Sequence, residues 1–351
     1  MRNRSTRKPA GAMHRRDALK LISAAGVAGA AGSFGLAAPA IGQSSRTLKF
    51  GHMVPTKTVY HQAIQMFGDE LSKLSDGKLK LQIFPSSQLG PISEMLQSVQ
   101  AGALEFSMAV PAWYSNFMKP MDVFTLPYIV SSPERLKAAL EGDIGAHIEE
   151  MGTEVGFQII GYWLLGQRSI VNRLRPVETP ADCKDLKLRV INSEVYMATF
   201  RALGANPIAM DPSELYLALQ QGIVDGFEYP LPDILDQKLY EVAEYISLDE
   251  HTTDFFLNTT SPKTWAGFSS EEQQMVSQAM KTAMDWQWDA QPKDIARARG
   301  ELEKLVNVNP ITPDNKKLFL EATQPVYKQF EDSIGKEWLE QCVKALGPGQ
   351  A

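Results

Sequence analysis

The chain has 351 residues, with 35 Lys and Arg against 41 Asp and Glu, a net charge of −6 and 44% hydrophobic residues. That length suits two domains, and the acidic balance disfavours nucleic acid and anionic lipid as partners. The two cysteines, Cys183 and Cys342, stand far apart with no CxxC spacing, so they make neither a disulfide framework nor a thiolate metal site.

Residues 1–42 read as an export signal that is removed. Arg2, Arg4, Arg7, Lys8, Arg15, Arg16 and Lys20 make a basic start opposed only by Asp17, and an uncharged Ala/Gly-rich stretch follows. Arg15-Arg16, followed by Leu19 and Lys20, looks like a twin-arginine signal. Ala18 stands where a large apolar residue is expected, and no Ser or Thr precedes the pair, so a Sec route stays open. Ala and Gly make the stretch too weakly hydrophobic for a membrane anchor. The glycines at 26, 29 and 32 lie inside this leader and form no nucleotide loop. Without the leader, 28 basic residues face 40 acidic ones, a net −12. An anionic ligand then needs a local cationic pocket.

Beyond the leader, periodicity predicts a strand over 47–53, a helix over 60–74 and a strand over 78–84 with Leu79, Leu81 and Ile83 alternating. A helix over 92–101 and a short strand over 105–110 complete a βαβαβ order, which implies an open α/β sheet. A helix over 133–151 and a buried strand over 156–164 follow. The pattern restarts near Arg168. Strands are predicted over 169–172, 186–191, 206–209 and 223–228, with helices over 194–202 and 212–221. Segments 244–248 and 255–259 read as strands crossing back between the halves. Residues 269–305 are almost continuous helix pattern, on the order of 50 Å long at 1.5 Å per residue, enough to brace two small domains. The region 313–344 reads as two shorter helices. The expected division is 43–165 plus 254–293 for one α/β domain and 166–253 plus 294–351 for the other.

No Walker A sequence, HExxH, GxSxG or cysteine–histidine pattern occurs, and only His52, His61, His147 and His251 follow the leader. Asp249, Glu250, His251 and Asp254 could form a metal or acid/base cluster, but their polar inter-domain setting favours a structural role. The run from Arg189 to Pro230 is the most informative. It puts an arginine at the end of an apolar strand pattern, LKLRV, and a guanidinium there is suited to hold a carboxylate by two parallel hydrogen bonds.

The segments FGHMVPTKTVYHQA, LSDGKLKLQIFPSSQLG, VFTLPYIVSS, GQRSIVNR, DLKLRV, ALGANPIAM, SELYLALQQGIVDG and KLYEVAEYISL occur in that order. Together they resemble the extracytoplasmic solute-binding proteins of TRAP transporters, tripartite carriers of organic acids, over nearly the whole chain after the leader. The resemblance implies a two-domain α/β fold of the periplasmic binding protein type. It implies a non-enzymatic, cofactor-free, monomeric periplasmic protein that encloses one small organic acid and delivers it to the permease subunits. Two other classes stay in view. One is a receptor that presents its ligand to a sensor; the other is an enzyme on the same scaffold, against which the sparse histidines and absent nucleophile argue.

Carried over by residue, Arg189 matches the arginine that grips the ligand carboxylate, and Arg168 a second arginine supporting it. Tyr229 stands where many members have the asparagine of DGxENP, offering a phenol to donate or a ring to stack. Trp113 and Phe256 fall where other members place polar side chains. With Tyr229 they would form an aromatic wall opposite the arginines. His52 and Met53 follow the first strand at the sheet edge where open α/β folds receive ligands. Asn172 matches an asparagine expected to orient an arginine. Glu94 would contact a ligand hydroxyl or cap its helix, and Glu228 would be structural or a ligand contact. No metal is expected; if an ion assisted, Glu228 would be its nearest ligand.

Overall fold

The computed structural model describes residues 45–347; the export signal read over 1–42 lies outside them. Nine strands form one sheet among the described residues: β1 (Arg46–Gly51), β2 (Leu79–Phe84), β3 (Phe106–Ala109), β4 (Gln158–Asn172), β5 (Lys187–Val190), β6 (Asn206–Ala209), β7 (Gly226–Pro230), β8 (Tyr245–Thr260) and β9 (Asn307–Pro310). Their order is β2-β1-β3-β8-β4-β7-β5-β6, with β9 beside β8.

Local sequence explains the two outer groups. In β1 the alternation buries Leu48 and Phe50 while Thr47 and Lys49 face out, the signature of a half-buried strand. Helix Val59–Leu74 starts at a Thr58 cap that accepts from His61 N, and it buries Ala63, Ile64, Phe67 and Leu71 on one face. This βα passage makes β1 parallel to β2 and β3. The same logic makes β5 parallel to β6 and β7. Two parallel α/β groups therefore flank a central antiparallel pair.

That pair is β4 and β8, 15 and 16 residues long. Each was expected as two short strands, and each is continuous. The expected break in β4 falls on register shifts of the β4–β8 ladder, between Leu164 and Gly166 and between Arg168 and Ile170, and a further shift lies between Ile159 and Gly161. Extra residues on one strand at such irregularities reset the side-chain alternation without ending the strand, so period-2 reading loses the thread.

Helix Ser270–Leu305 has 36 residues and begins with a capping box between Ser269 and Glu272. It packs on helix Val59–Leu74, on β4 and on helix Leu231–Asp236, touching both parallel groups. The helix expected over 133–151 is two, Pro133–Leu140 and Asp143–Glu154, broken at Gly142. Helices Pro313–Ile334 and Lys336–Leu346 end the described chain, the last packing on the helices of 133–154. Cys183 and Cys342 are both buried and free. No described helix is long and apolar enough to cross a membrane.

Candidate functional site: a cavity at the strand ends

The parallel strands of both groups end around one cavity of about 230 Å³, lined by residues of each. At ~30 Å³ per water it has the volume of about eight waters, the scale of one small molecule. Residues just past β1 (Met53, Val54 and Pro55), β2 (Ser86 and Ser87) and β3 (Val110 and Trp113) supply one side. The other side comes from Arg189 and Ile191 at the end of β5, Pro212 and Ser213 after β6, and Tyr229 and Pro230 of β7. Leu165 and Arg168 of β4 and Phe256 of β8 form the floor shared between them. Open α/β sheets receive ligands at this edge because several strands deliver short loops to one place.

The two arginines are in opposite electrostatic states. Arg168 is buried and tied to Glu228: Nε and Nη2 each donate to a carboxylate oxygen, and Nη2 also donates to Glu228 O at 3.0 Å. Nη1 donates to Asp254 Oδ2 at 3.2 Å. Of the five N–H donors of a guanidinium, this leaves one, on Nη1. Burial works against the Glu228 carboxylate, yet Arg168 and then His251 hold its pKa below the ordinary range. Burial raises the Asp254 pKa to about 6 despite Arg168. His251 Nδ1 pairs with Asp249 Oδ2 at 2.8 Å, and Nε2 lies 3.5 Å from Glu228, an ion contact too long for a hydrogen bond. Burial lowers the imidazole pKa, but Asp249 and Glu228 outweigh it and carry it to about 9.

Arg189 is fully buried. Its Nε and Nη2 both donate to Met210 O, at 2.9 and 2.7 Å, while Nη1 has no partner. It forms no ion pair among the described residues, so a guanidinium lines the cavity with donors to spare and no counter-charge. The Tyr229 ring lies between the two arginines, 5.5 Å from the Arg189 carbon and 5.3 Å from that of Arg168.

The structure thus gathers Arg168, Arg189, Tyr229, Trp113 and Phe256 around one cavity. Met53 joins them and His52 does not. Successive side chains alternate at a strand end, and His52 turns inward, its Nε2 3.1 Å from His61 Nδ1. Burial, helped by His61, lowers its pKa to about 3, leaving it neutral. Glu228 points away from Tyr229 for the same reason and is occupied by Arg168. Asn172 does not orient an arginine. Its Oδ1 accepts from Leu174 N and Arg175 N at 2.8 and 2.9 Å, and its Nδ2 donates to Arg175 O, so it holds the turn after β4. Glu94 is exposed in the first turn of helix Ile92–Gln100, away from the cavity wall. Sequence reasoning missed Ser86, Ser87, Ser213, Asp233 and Gln237, all of which line the cavity; their position just beyond strand ends was the available signal.

A family model of bacterial extracellular solute-binding proteins, family 7 (DctP), matches residues 50–333. The sialic acid-binding periplasmic protein SiaP of Vibrio cholerae is 31% identical over 305 residues, 86% of this chain and 93% of that protein. Among solved structures, the sugar acid binding protein DctPAm of Advenella mimigardefordensis, in complex with galactonate, superposes with a TM-score of 0.84 at 29% identity, covering 87% of this chain and 98% of that one. A TRAP periplasmic solute binding protein of Sulfurospirillum deleyianum with bound succinate gives 0.83 at 28% identity, covering 86% and 99%. These proteins are receptors for solutes, not catalysts. With the family model running across both strand groups and the cavity between them, the chain belongs to the DctP family, the extracellular solute-binding proteins of TRAP transporters.

Proposed function

We propose that the protein is a periplasmic receptor that holds one small organic acid by its carboxylate in this cavity and hands it to TRAP permease subunits. The observation that carries the reading is Arg189, a buried guanidinium with a partnerless Nη1 and no counter-ion. A buried charge without a partner is costly, and an anion entering the cavity supplies it through two parallel hydrogen bonds. Arg168 adds its last N–H, and Tyr229, Trp113 and Phe256 pack the ligand body. The kinship with proteins that hold galactonate and succinate supports an acid as the ligand.

In this reading 43–165 with 254–293 forms one lobe and 166–253 with 294–351 the other, the last helix reaching back across. The ligand binds the closed arrangement better and shifts the population towards it. Residues 1–42 direct export, by the twin-arginine route, of a monomer; cell fractionation with Arg15 and Arg16 replaced by Lys tests that part, a chain still exported through Tat counting against it.

Calorimetry with D-galactonate, D-glucuronate and succinate tests the function. At least one should bind, and Arg189→Ala should cost ~3–5 kcal/mol of affinity. Binding of the same strength in that variant removes Arg189 from the role.

A further inference from the structure

Asp233 lines the same cavity, and carboxylate capture gives it nothing to do. It lies on the short helix Leu231–Asp236, which starts directly from the Pro230 end of β7. The strand that presents Tyr229 therefore also delivers this carboxyl to the wall. Asp233 is only 5% exposed, and its Oδ2 has no hydrogen-bond partner. Gln237, one turn on, lines the wall beside it and is tied to it by the backbone bond from Gln237 N to Asp233 O at 3.1 Å.

The other buried carboxylates nearby are all held. Glu228 and Asp254 lie on Arg168. Asp249 accepts from Ile170 N and contacts His251. The half-buried Asp236 pairs through Oδ1 with Arg297, although its Oδ2 has no partner. Asp233 forms no ion pair among the described residues. A buried oxygen without a donor carries its full desolvation penalty. Since Asp233 faces the cavity, a donor brought in by the occupant relieves that penalty.

Resting on the carboxylate-capture reading, we propose that Asp233 is a specificity-determining residue. It accepts a hydrogen bond from a hydroxyl or ammonium on the body of the bound acid, so that the receptor selects donor-bearing acids over their unsubstituted counterparts. Hydroxyl and ammonium share the needed chemistry, an O–H or N–H directed at the carboxyl oxygen. A second carboxylate on the ligand lacks that donor and meets the ionised Asp233 as an acceptor against an acceptor, so the comparison is made at pH 8. Sites built to hydrogen-bond a substrate group discriminate strongly against analogues lacking it, because their own polar atoms are then stranded. Burial, with the neighbouring Asp236 and Asp294 adding to it and Arg168 and a hydrogen bond from Gln237 opposing it, lifts the Asp233 pKa to about 7.

The test is calorimetry with four six-carbon probes: hexanoate, D-galactonate, 6-aminohexanoate and adipate. The wild type should bind D-galactonate or 6-aminohexanoate at least ~10-fold more tightly than hexanoate or adipate, about one hydrogen bond's worth. Which of the two is preferred identifies the donor. Asp233→Ala should narrow the preference to within ~3-fold. Asp233→Asn keeps an acceptor oxygen without the charge; it should retain a preference for D-galactonate and lose one for 6-aminohexanoate. Thermal melts of each variant report folding, and Asp233→Ser replaces Ala if that variant fails to fold. A preference that survives in Asp233→Ala or Ser overturns the assignment, as does a wild type that binds hexanoate or adipate as tightly as the donor-bearing acids. A wild type that binds succinate but none of the four overturns the Asp233 assignment alone, whereas one that binds neither the four nor D-glucuronate or succinate overturns the carboxylate-capture reading itself.

Discussion

Arg168 and Arg189 differ little in sequence context, each in a strand pattern rich in apolar residues, yet their chemistry is opposite. Arg168 is neutralised by Glu228 and Asp254 and serves as part of the frame; Arg189 keeps its charge for the cavity. The distinction was not legible beforehand. It depends on which carboxylates two distant strands bring alongside, Glu228 from β7 and Asp254 from β8. Arg189 itself was legible, because a charged residue closing the run LKLRV has no helical or surface pattern to explain it. Asp233 was not, because no helix was read after Pro230. Its titration gives a direct prediction. Unfolded, the carboxyl titrates near 3.8; folded, near 7. Between those values the native state holds a proton that the unfolded chain has released, so this group makes stability fall as pH rises through the window and level off above it. Asp233→Asn removes the effect. Its stability relative to the wild type should improve by ~2–4 kcal/mol between pH 4 and pH 8. Urea melts at both pH values check this, and the same difference at each would refute it.

At the scale of elements, short strands and amphipathic helices were readable from the period of their apolar residues; helix Glu194–Ala202 and strand β6 fell where expected. What escaped was governed by partners. Strand β9, with the sequence NVNP, has too little apolar alternation to announce itself and exists by pairing with β8. The long strands were hidden by their bulges, and the bulge at Leu164–Gly166 is served by the long helix. Gln287 accepts from Leu164 N at 2.9 Å and donates to Leu164 O at 2.7 Å. Gln291 Nε2 donates to Leu165 O at 2.9 Å and to the Tyr60 hydroxyl at 2.6 Å. Gly166 there has φ of +112°, and a Cβ would sit 2.8 Å from Ile295 Cδ1, so backbone and helix approach closely. Two glutamines on one face of a helix read as polar surface, whereas here they complete a strand. Gln287→Ala strands two buried backbone groups, and chemical denaturation should show a loss of ~1–3 kcal/mol for each group left without a partner. An unaltered midpoint would mean that Leu164 finds other partners.

Over the whole molecule, the α/β class and two tandem units were legible from the alternation of elements, and the long brace from its uninterrupted helical period. The sharing of one sheet by both halves was not, since it rests on pairings across as many as 102 positions of sequence, as for Gln158 with Thr260. Closure on the ligand should be visible in solution. Small-angle scattering of the protein with a bound acid should give a smaller radius of gyration than without it, and identical curves at saturation would argue against a moving receptor.

Arg168 sits between two of the irregular points of the β4–β8 ladder, at Leu164–Gly166 and Arg168–Ile170. If the proposed closure bends the sheet at these points, Arg168, which offers the guest its last N–H, is mounted on the joint itself. A protein arranged this way needs no relay from pocket to distant pivot: the arrival of the anion and the bending of the backbone are felt by the same few peptide units.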